Sequence, residues 1–263
     1  MKPNILNEII ASKLESLKSR KQELPLERIM PSVLANKKVS VFKDALSKKN
    51  STNIIAEIKR ASPSLGLIRK DYLPAKIAKE YEDGGASAIS VLTEEKYFRG
   101  CIEHIAEVKK SSVLPVLRKD FVIDNYQLYE SRHYGADAVL LIAAALESRQ
   151  ISEFLGLARS IGLECLVEVH SEEDLKKLDG IDCDIIGINA RNLNDFSVNT
   201  REAAKMLSMI PQGIVKVMES GIKSRAQIIE FQKMGADAFL IGETLMRSGD
   251  ISSTLIGLLN DQN

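Results

Sequence analysis

A carboxylate and an ammonium group stand two residues apart near the start of the chain, in the stretch IIAEIKRASPSLG at residues 54–66. The isoleucines of this stretch have the apolar character of a buried strand, which the tripeptide SPS then ends. Side chains two apart on a strand point to one face, so Glu57 and Lys59 emerge together on the side opposite Ile58. The pattern predicts a ligand on that side that requires both charges.

A second cation stands beside an aromatic ring. In VLPVLRKD, at residues 113–120, Leu117 and Lys119 share a side with the following Phe121. An ammonium next to an aromatic ring suits an aromatic anion. The same alternation groups polar residues at the ends of two later apolar runs, namely Glu168 with His170, and Asn189 with Arg191.

These runs alternate with longer segments of helical period, which is typical of repeated βα units with a parallel sheet. From residue 53 onward we predict eight strands, at residues 53–59, 88–93, 113–120, 138–144, 164–169, 184–190, 214–219 and 238–243. An internal repeat supports this number, because a Gly-Ala-x-Ala core recurs from Gly85, Gly135 and Gly235. If one βα unit takes about 25 residues, these glycines mark the entries to strands two, four and eight. The sequence therefore predicts a TIM (β/α)8 barrel.

Residues 1–50 precede the predicted barrel and have the period of two helices separated by a Leu-Pro break. This segment is too short for a separate enzyme. We expect an N-terminal helical extension that packs on the barrel as a lid or as a plug at its bottom, with residues 51–263 as the catalytic domain.

Active sites of TIM barrels lie at the carboxyl ends of the strands. Two lysines and three glutamates end predicted strands, and Glu219 is the third of those glutamates. Taken singly, each of the five could belong to a structural ion network inside the barrel. Five charges gathered at one end would be a costly way merely to close a barrel, because buried ion pairs seldom return their desolvation cost. Together they favour a ligand site.

The motifs ESG at residues 219–221 and IGET at residues 241–244 follow predicted strands seven and eight. TIM barrels frequently bind phosphate at this place, through backbone N–H groups. Gly221 and Gly242 allow the backbone to approach an anion closely. Each glycine alone is typical of a turn, whereas the two together favour a phosphate site.

The composition argues against several classes of function. Lys plus Arg is 36 and Asp plus Glu is 36, so no net field favours nucleic acid or an anionic membrane. The three cysteines have no C-x-x-C spacing, and His170 has no second ligand at a suitable spacing, so we expect neither disulfides nor a metal site. The longest apolar run, at residues 138–146, is far shorter than the roughly 20 residues that span a bilayer. We expect a cytoplasmic protein.

In order and spacing, the motifs IIAEIKRASPSLG, SVLTEEKYFRG, VLRKDFVIDNYQ, GINARNL, VKVMESGI and FLIGETLMR resemble the indole-3-glycerol phosphate synthase family over essentially the whole chain. The resemblance implies a lyase of tryptophan biosynthesis. Its members close the ring of 1-(2-carboxyphenylamino)-1-deoxyribulose 5-phosphate, forming indole-3-glycerol phosphate, carbon dioxide and water. No cofactor is expected, because decarboxylation supplies the electrons that restore aromaticity and the enzyme needs only positioning and acid/base groups.

The resemblance also implies roles for individual residues. Lys119 is expected to be the general acid that polarises the ribulose carbonyl, with Glu168 as the acid/base partner for dehydration and Glu57 in support. Lys59 is expected to hold anionic groups, and Asn189 to orient hydroxyls or the anthranilate carboxylate.

The remaining expected site residues bind substrate. The phosphate and polar end is expected to consist of Arg191, Ser220, Gly221, Gly242 and the backbone of Glu243, with Ser62 nearby. The apolar slot for the aromatic ring is expected to consist of Phe121, Leu140 and Leu193. Glu219 and Leu240 complete the expected substrate-binding set. Some family members carry a serine at position 243, so the side chain of Glu243 is expected to turn away and leave its N–H for the phosphate.

Two other functions stay open on the residues alone. Another phosphate-binding barrel, such as phosphoribosylanthranilate isomerase, would share the phosphate site but should not need the set of Glu57, Lys59 and Lys119. A noncatalytic barrel that binds a phosphorylated metabolite would show no turnover. The expected partner is a small phosphorylated aromatic substrate, and we expect no nucleic acid, membrane or obligate protein partner.

Overall fold

The computed structural model describes residues 5–35, 41–191 and 200–260. The barrel strands are β1 Asn53–Ile58, β2 Ala88–Leu92, β3 Val116–Lys119, β4 Ala138–Ile142, β5 Glu164–Val169, β6 Ile185–Asn189, β7 Val215–Glu219 and β8 Ala238–Ile241. They are all parallel and close in the order β1-β8-β7-β6-β5-β4-β3-β2. The predicted TIM barrel is confirmed.

Three helices precede the barrel, and the others follow its strands. They are α1 Ile5–Glu23, α2 Leu26–Ala35, α3 Val41–Leu46, α4 Pro74–Asp83, α5 Glu103–Ser111, α6 Asn125–His133, α7 Ser148–Ser160, α8 Glu172–Lys176, α9 Thr200–Met209, α10 Arg225–Lys233, α11 Glu243–Met246 and α12 Ile251–Leu259. A short hairpin, Ala61–Ser62 with Gly66–Leu67, follows β1. Among the described helices, none is long and apolar enough to cross a membrane.

Alternating side chains divide each strand between two apolar clusters. Ile54 and Ile58 of β1 pack in the outer cluster that includes helix residues, whereas Ile55 packs in the barrel interior. Glu57 has the parity of Ile55, so it continues the interior face toward the carboxyl end of the strand. The same pairing of an inner apolar residue with a polar one recurs as Leu117 and Lys119, Leu166 and Glu168, and Val217 and Glu219.

The internal repeat occurs at the same place in three βα units, directly before the strand. Gly85, Gly135 and Gly235 stand before β2, β4 and β8 with φ of 89°, 94° and 98°, a conformation that residues with a Cβ rarely adopt. In the last two copies, an aspartate two residues later accepts a hydrogen bond from a backbone N–H of the preceding strand. Asp137 does so at 2.9 Å and Asp237 at 2.8 Å. The repeat therefore fixes how the chain enters these strands.

Strand β3 is shorter than the sequence indicated. We predicted residues 113–120, but pairing is confined to Val116–Lys119. Pro115 has no N–H for a sheet hydrogen bond, and Val113 is 86% exposed. The apolar residues before the proline therefore do not belong to the strand.

The N-terminal helices reach both ends of the barrel. At the amino ends of the strands, the Glu164 carboxylate accepts hydrogen bonds from the backbone N–H groups of Phe42 and Lys43 in α3, at 2.7 and 3.0 Å. At the carboxyl ends, the Lys13 ammonium of α1 lies 2.9 Å from the carboxylate of Asp120, which directly follows β3. The N-terminal segment, which was expected to be a lid or a plug, thus has one helix at each end of the barrel.

Candidate functional site

A cavity of about 690 Å³ opens at the carboxyl ends of the barrel strands. Every predicted site residue within the described ranges lines it, namely Glu57, Lys59, Ser62, Lys119, Phe121, Leu140, Glu168, Asn189, Arg191, Glu219, Ser220, Gly221, Leu240, Gly242 and Glu243. Leu193 lies outside the described residues.

Four charged side chains form one layer across the barrel. Glu57, Lys119, Glu168 and Glu219 come from β1, β3, β5 and β7, and alternate strands contribute the four side chains of a layer in TIM barrels. The Lys119 ammonium lies 2.9 Å from Glu168 Oε2 and 2.9 Å from Glu219 Oε2. Glu57 is paired with Lys59, which extends the layer toward the mouth.

Burial and neighbouring charges compete in setting the ionisation of this layer. Burial favours the neutral form of Lys119, but the carboxylates of Glu168, Glu219 and Glu57 outweigh it and raise the pKa of the ammonium. Burial also opposes the charge of Glu57, yet the ammonium groups of Lys59 and Lys119 lower the pKa of that carboxyl. The neighbouring carboxylates therefore keep Lys119 protonated despite its burial.

Glu168 and Glu219 share Lys119 but differ in ionisation. Burial raises the pKa of Glu219 to about 8, and the neighbouring Glu168 adds to this against the attraction of Lys119. Burial also opposes the ionisation of Glu168, but Lys119 and His170 outweigh it and hold the pKa of Glu168 well below its usual range. Like charges this close disfavour double ionisation. The layer therefore keeps one carboxylate and one carboxylic acid beside the same ammonium near neutral pH.

Two glycines make room for these carboxyl groups. A Cβ built at Gly187 of β6 would overlap Oε1 of Glu219, and a Cβ built at Gly242, after β8, would overlap Oε1 of Glu57. Both glycines therefore stand where a side chain would displace a member of the layer. Only Gly242 was singled out from the sequence, where it was assigned to the phosphate site.

The polar end of the cavity follows β7 and β8. Ser220 and Gly221 both have positive φ, 65° and 76°, and Gly242 precedes the first turn of α11. The carboxylate of Glu243 lies 3.5 Å from Arg191 and 3.2 Å from Arg247. Two guanidinium groups thus stand at the end where the sequence predicted an anion.

The opposite wall is apolar and includes a residue that the sequence did not indicate. Phe121 and Leu140 were expected there, and the ring of Phe98 lies 6.4 Å from that of Phe121, measured between centroids. Phe98 belongs to the loop after β2, where the Glu94 carboxylate accepts three backbone N–H groups, including that of Phe98 at 3.0 Å. The sequence signal for this loop is the carboxylate of Glu94, two residues after the end of β2.

A buried ion network adjoins Lys119 of the charged layer. Asp120, next to Lys119, contacts Lys13 at 2.9 Å, Arg118 at 3.0 Å and the hydroxyl of Thr93 at 2.7 Å. Burial opposes its ionisation, but the two cations and the hydroxyl lower the pKa of Asp120 to about 2. Asp120 ends the run VLPVLRKD in the sequence, and nothing in that run indicates its partner Lys13.

The ring of His170 contacts the carboxyl group of Glu168. Its Nε2 lies 2.8 Å from Glu168 Oε1, and its Nδ1 lies 3.0 Å from the carbonyl oxygen of Arg191. Across the described ranges, no three His, Cys, Asp or Glu side chains are placed to hold a metal ion. The lysine and carboxyl groups of the layer can transfer protons to and from a ligand that has an apolar and an anionic end.

Comparisons with known proteins agree with this geometry. The family model described as indole-3-glycerol phosphate synthase matches residues 6–258. Indole-3-glycerol phosphate synthase of Campylobacter fetus is 47% identical over 94% of this chain and 96% of its own length. The protein of the same name from Neisseria meningitidis is 43% identical over 95% and 97%. A solved 3-hexulose-6-phosphate synthase shares the fold alone, with a TM-score of 0.63 at 15% identity over 79% of this chain and 98% of that one. The chain belongs to the indole-3-glycerol phosphate synthase family.

Proposed function

We propose that the charged layer closes the indole ring of 1-(2-carboxyphenylamino)-1-deoxyribulose 5-phosphate. The protein is a carboxy-lyase that forms indole-3-glycerol phosphate, carbon dioxide and water. The observation that carries the assignment of roles is the position of Lys119, whose ammonium lies 2.9 Å from each of two buried glutamates at the centre of the cavity. One cation between two carboxyl groups can give a proton and have it replaced.

The first step forms the carbon–carbon bond. Lys119 donates a proton to the ribulose carbonyl while the ring carbon that bears the carboxylate attacks it, so the carbonyl becomes a hydroxyl group. The cyclic cation then loses carbon dioxide, and the electron pair of the broken bond restores the aromatic ring. A fixed ammonium suits this step because it stabilises the charge that develops on the carbonyl oxygen.

The second step removes water. The hydroxyl group leaves with a proton from the site, and a base takes the proton from the neighbouring ring carbon to complete the indole. Glu168 is the acid/base partner for this step, with Glu57 in support. Lys59 is paired with Glu57 and faces the same cavity, which suits a role in holding the substrate carboxylate until it departs. Asn189 orients hydroxyl groups.

The lining of the cavity favours one orientation of the substrate. Its aromatic ring fits between Phe121, Phe98 and Leu140, and its phosphate fits at the polar end. There Ser220, Gly221, Gly242 and the N–H of Glu243 bind phosphate, with Arg191 close by. The Glu243 carboxylate is occupied by two arginines, which leaves its N–H for the anion. Action in the cytoplasm and without nucleic acid, membrane or obligate protein partner stays a prediction.

Indole fluorescence tests the proposed reaction directly. The chain contains no tryptophan, so indole emission that appears on adding the carboxyphenylamino substrate is free of protein tryptophan signal. We expect emission to rise with time and in proportion to enzyme. A folded protein that binds the substrate without this emission would be a phosphometabolite-binding barrel. Phosphoribosylanthranilate as the alternative substrate tests the isomerase reading, for which we expect no turnover.

A further inference from the structure

The two ring nitrogens of His170 have unlike partners. Nδ1 faces the carbonyl oxygen of Arg191 at 3.0 Å, and Nε2 faces Oε1 of Glu168 at 2.8 Å. The imidazole side chain is 9% exposed, and that of Glu168 is 3% exposed. The backbone N–H of His170 donates to Asp174 Oδ2 at 3.1 Å, which fixes the start of the turn that carries the ring. Both contacts of the ring are therefore internal to the protein.

Counting donors shows that this arrangement holds an additional proton. A carbonyl oxygen has no proton to give, so Nδ1 of His170 must donate to Arg191. Neutral imidazole has a single N–H, which leaves Nε2 as an acceptor, and an acceptor cannot bond to an ionised carboxylate. The contact between Nε2 and Glu168 therefore requires a proton, either as imidazolium with carboxylate or as imidazole with carboxylic acid.

We propose that His170 is a positioning residue that keeps this proton on the pair with Glu168 and holds Oε2 of Glu168 toward Lys119. The proton is then available to Glu168 when it serves the loss of water, and the ring takes it back in the next cycle. This inference rests on the acid/base role proposed for Glu168. In this role His170 acts through Glu168 and does not touch the substrate.

The charges around the ring favour the protonated pair. Glu168 lies in β5, which ends one residue before His170, Glu219 lies in β7, and Asp174 lies in the first turn of α8, whereas the Arg191 guanidinium pairs with Glu243. Burial lowers the pKa of His170, but Glu168, the Arg191 carbonyl and Glu219 outweigh it and raise the pKa. A raised pKa in the folded state means that the stabilisation is complete below the unfolded value of about 6.5 and is lost as pH rises through the folded value.

Nuclear magnetic resonance of the histidines tests the proton without any substrate. The chain has three histidines, so the ring signal of His170 is assigned by its absence from His170→Gln. We expect His170 to remain imidazolium above pH 6.5 in the wild type, and its midpoint to fall in Glu168→Gln, while the signal of His133 stays in place. A wild-type midpoint below 6.5, or a midpoint that Glu168→Gln leaves unchanged, would overturn the proposal.

Steady-state kinetics test the consequence for turnover. His170→Gln keeps an amide that can donate to Glu168 but cannot hold a titrating proton, so we expect kcat to fall about 10-fold or more at nearly unchanged KM. The alkaline limb of the kcat profile that follows His170 should disappear. The matched control is His133→Gln in α6, whose ring contacts Ser32 far from the layer, and we expect it to leave kcat and the profile unchanged. Wild-type kcat and profile in His170→Gln would contradict the proposal.

The two tests separate this inference from the proposed reaction. The titration reports the proton on His170 whether or not the protein turns over, and the fluorescence assay of the wild type reports the reaction alone. If His170→Gln does not fold, His104→Gln and His133→Gln assign the other two ring signals, and the wild-type and Glu168→Gln titrations then still decide the proposal.

Discussion

The ammonium of Lys13 lies 2.9 Å from the carboxylate of Asp120, and both side chains are almost completely buried. Lys13 belongs to α1 in the N-terminal extension, whereas Asp120 directly follows the proposed general acid Lys119. The extension is thus joined by an ion pair to the end of β3, next to Lys119. Asp120 also contacts Arg118 at 3.0 Å, so a single buried carboxylate connects the outer helix with the barrel wall.

Lys13→Met should destabilise the fold by about 3 kcal/mol, because it removes one partner of a buried ion pair and leaves the other charged. Urea unfolding of the variant and the wild type measures this difference. The matched control is Lys18→Met on the same helix, where an exposed pair with Glu15 at 3.4 Å contributes little. Equal losses in the two variants would show that the contact between Lys13 and Asp120 does not stabilise the protein.

Glu219 should make the stability of the protein depend on pH. Its folded pKa is about 8, above the value of about 4.3 in unfolded chains. The folded state therefore binds more protons on this group between the two values, and its stabilising contribution is lost as pH rises from about 5 through 8. Relative to Glu219→Gln, the wild type should lose about 1 kcal/mol for each pH unit in this window. Urea unfolding of both proteins at pH 5 to 9 measures the difference, and a constant difference would contradict the prediction.

Lys119→Met should lower kcat by about 10² to 10⁴, because it keeps an apolar chain of similar length but removes the proton that reaches the carbonyl. The indole fluorescence assay, expressed per folded molecule, gives kcat. Lys79→Met serves as a control, since this exposed lysine pairs only on the surface of α4. If Lys119 served structure alone, the variant would lose stability while its folded fraction turned over at the wild-type rate.

Glu168→Gln should also lower kcat while keeping the shape of the carboxyl group. In the proposed mechanism Lys119 and Glu168 act in one proton-transfer sequence, so the double variant should lose less activation free energy than the sum of the single losses. Rates of the wild type, both single variants and the double variant complete the cycle. Simple additivity would indicate that the two residues act independently of each other.

Gly242→Ala should lower kcat at least about 10-fold in addition to raising KM. A methyl group at Gly242 would weaken phosphate binding and would also overlap the carboxylate of Glu57, which must then move. Gly249→Ala is the control, because a Cβ there meets no atom within 4 Å. A raised KM at wild-type kcat would mean that Glu57 can shift without loss, and unchanged constants would remove Gly242 from the site.

The barrel and its charged layer could be predicted because strands impose a period of two residues. Parity grouped each of Glu57, Lys119 and Glu168 with a second side chain on one face of its strand, and the structure brings the three together at the cavity. Lys13 could not be found this way, since α1 carries three lysines and only tertiary packing decides which one is buried. The raised pKa of Glu219 likewise depends on its neighbours in space, which are fixed by the closure of the barrel.

The same closure has a consequence for synthesis of the chain. The backbone N–H of Phe42 in α3 pairs with Glu164, which lies 122 residues further along the sequence. At roughly 5 to 20 residues per second, the ribosome delivers that partner roughly 6 to 24 s after the N-terminal helix has been made. During this interval the apolar side chains of Phe42 and Leu46, buried in the finished protein, have no barrel to cover them. Helix α3 is thus translated before the strand that holds it, and it reaches its final place only after that strand has been made.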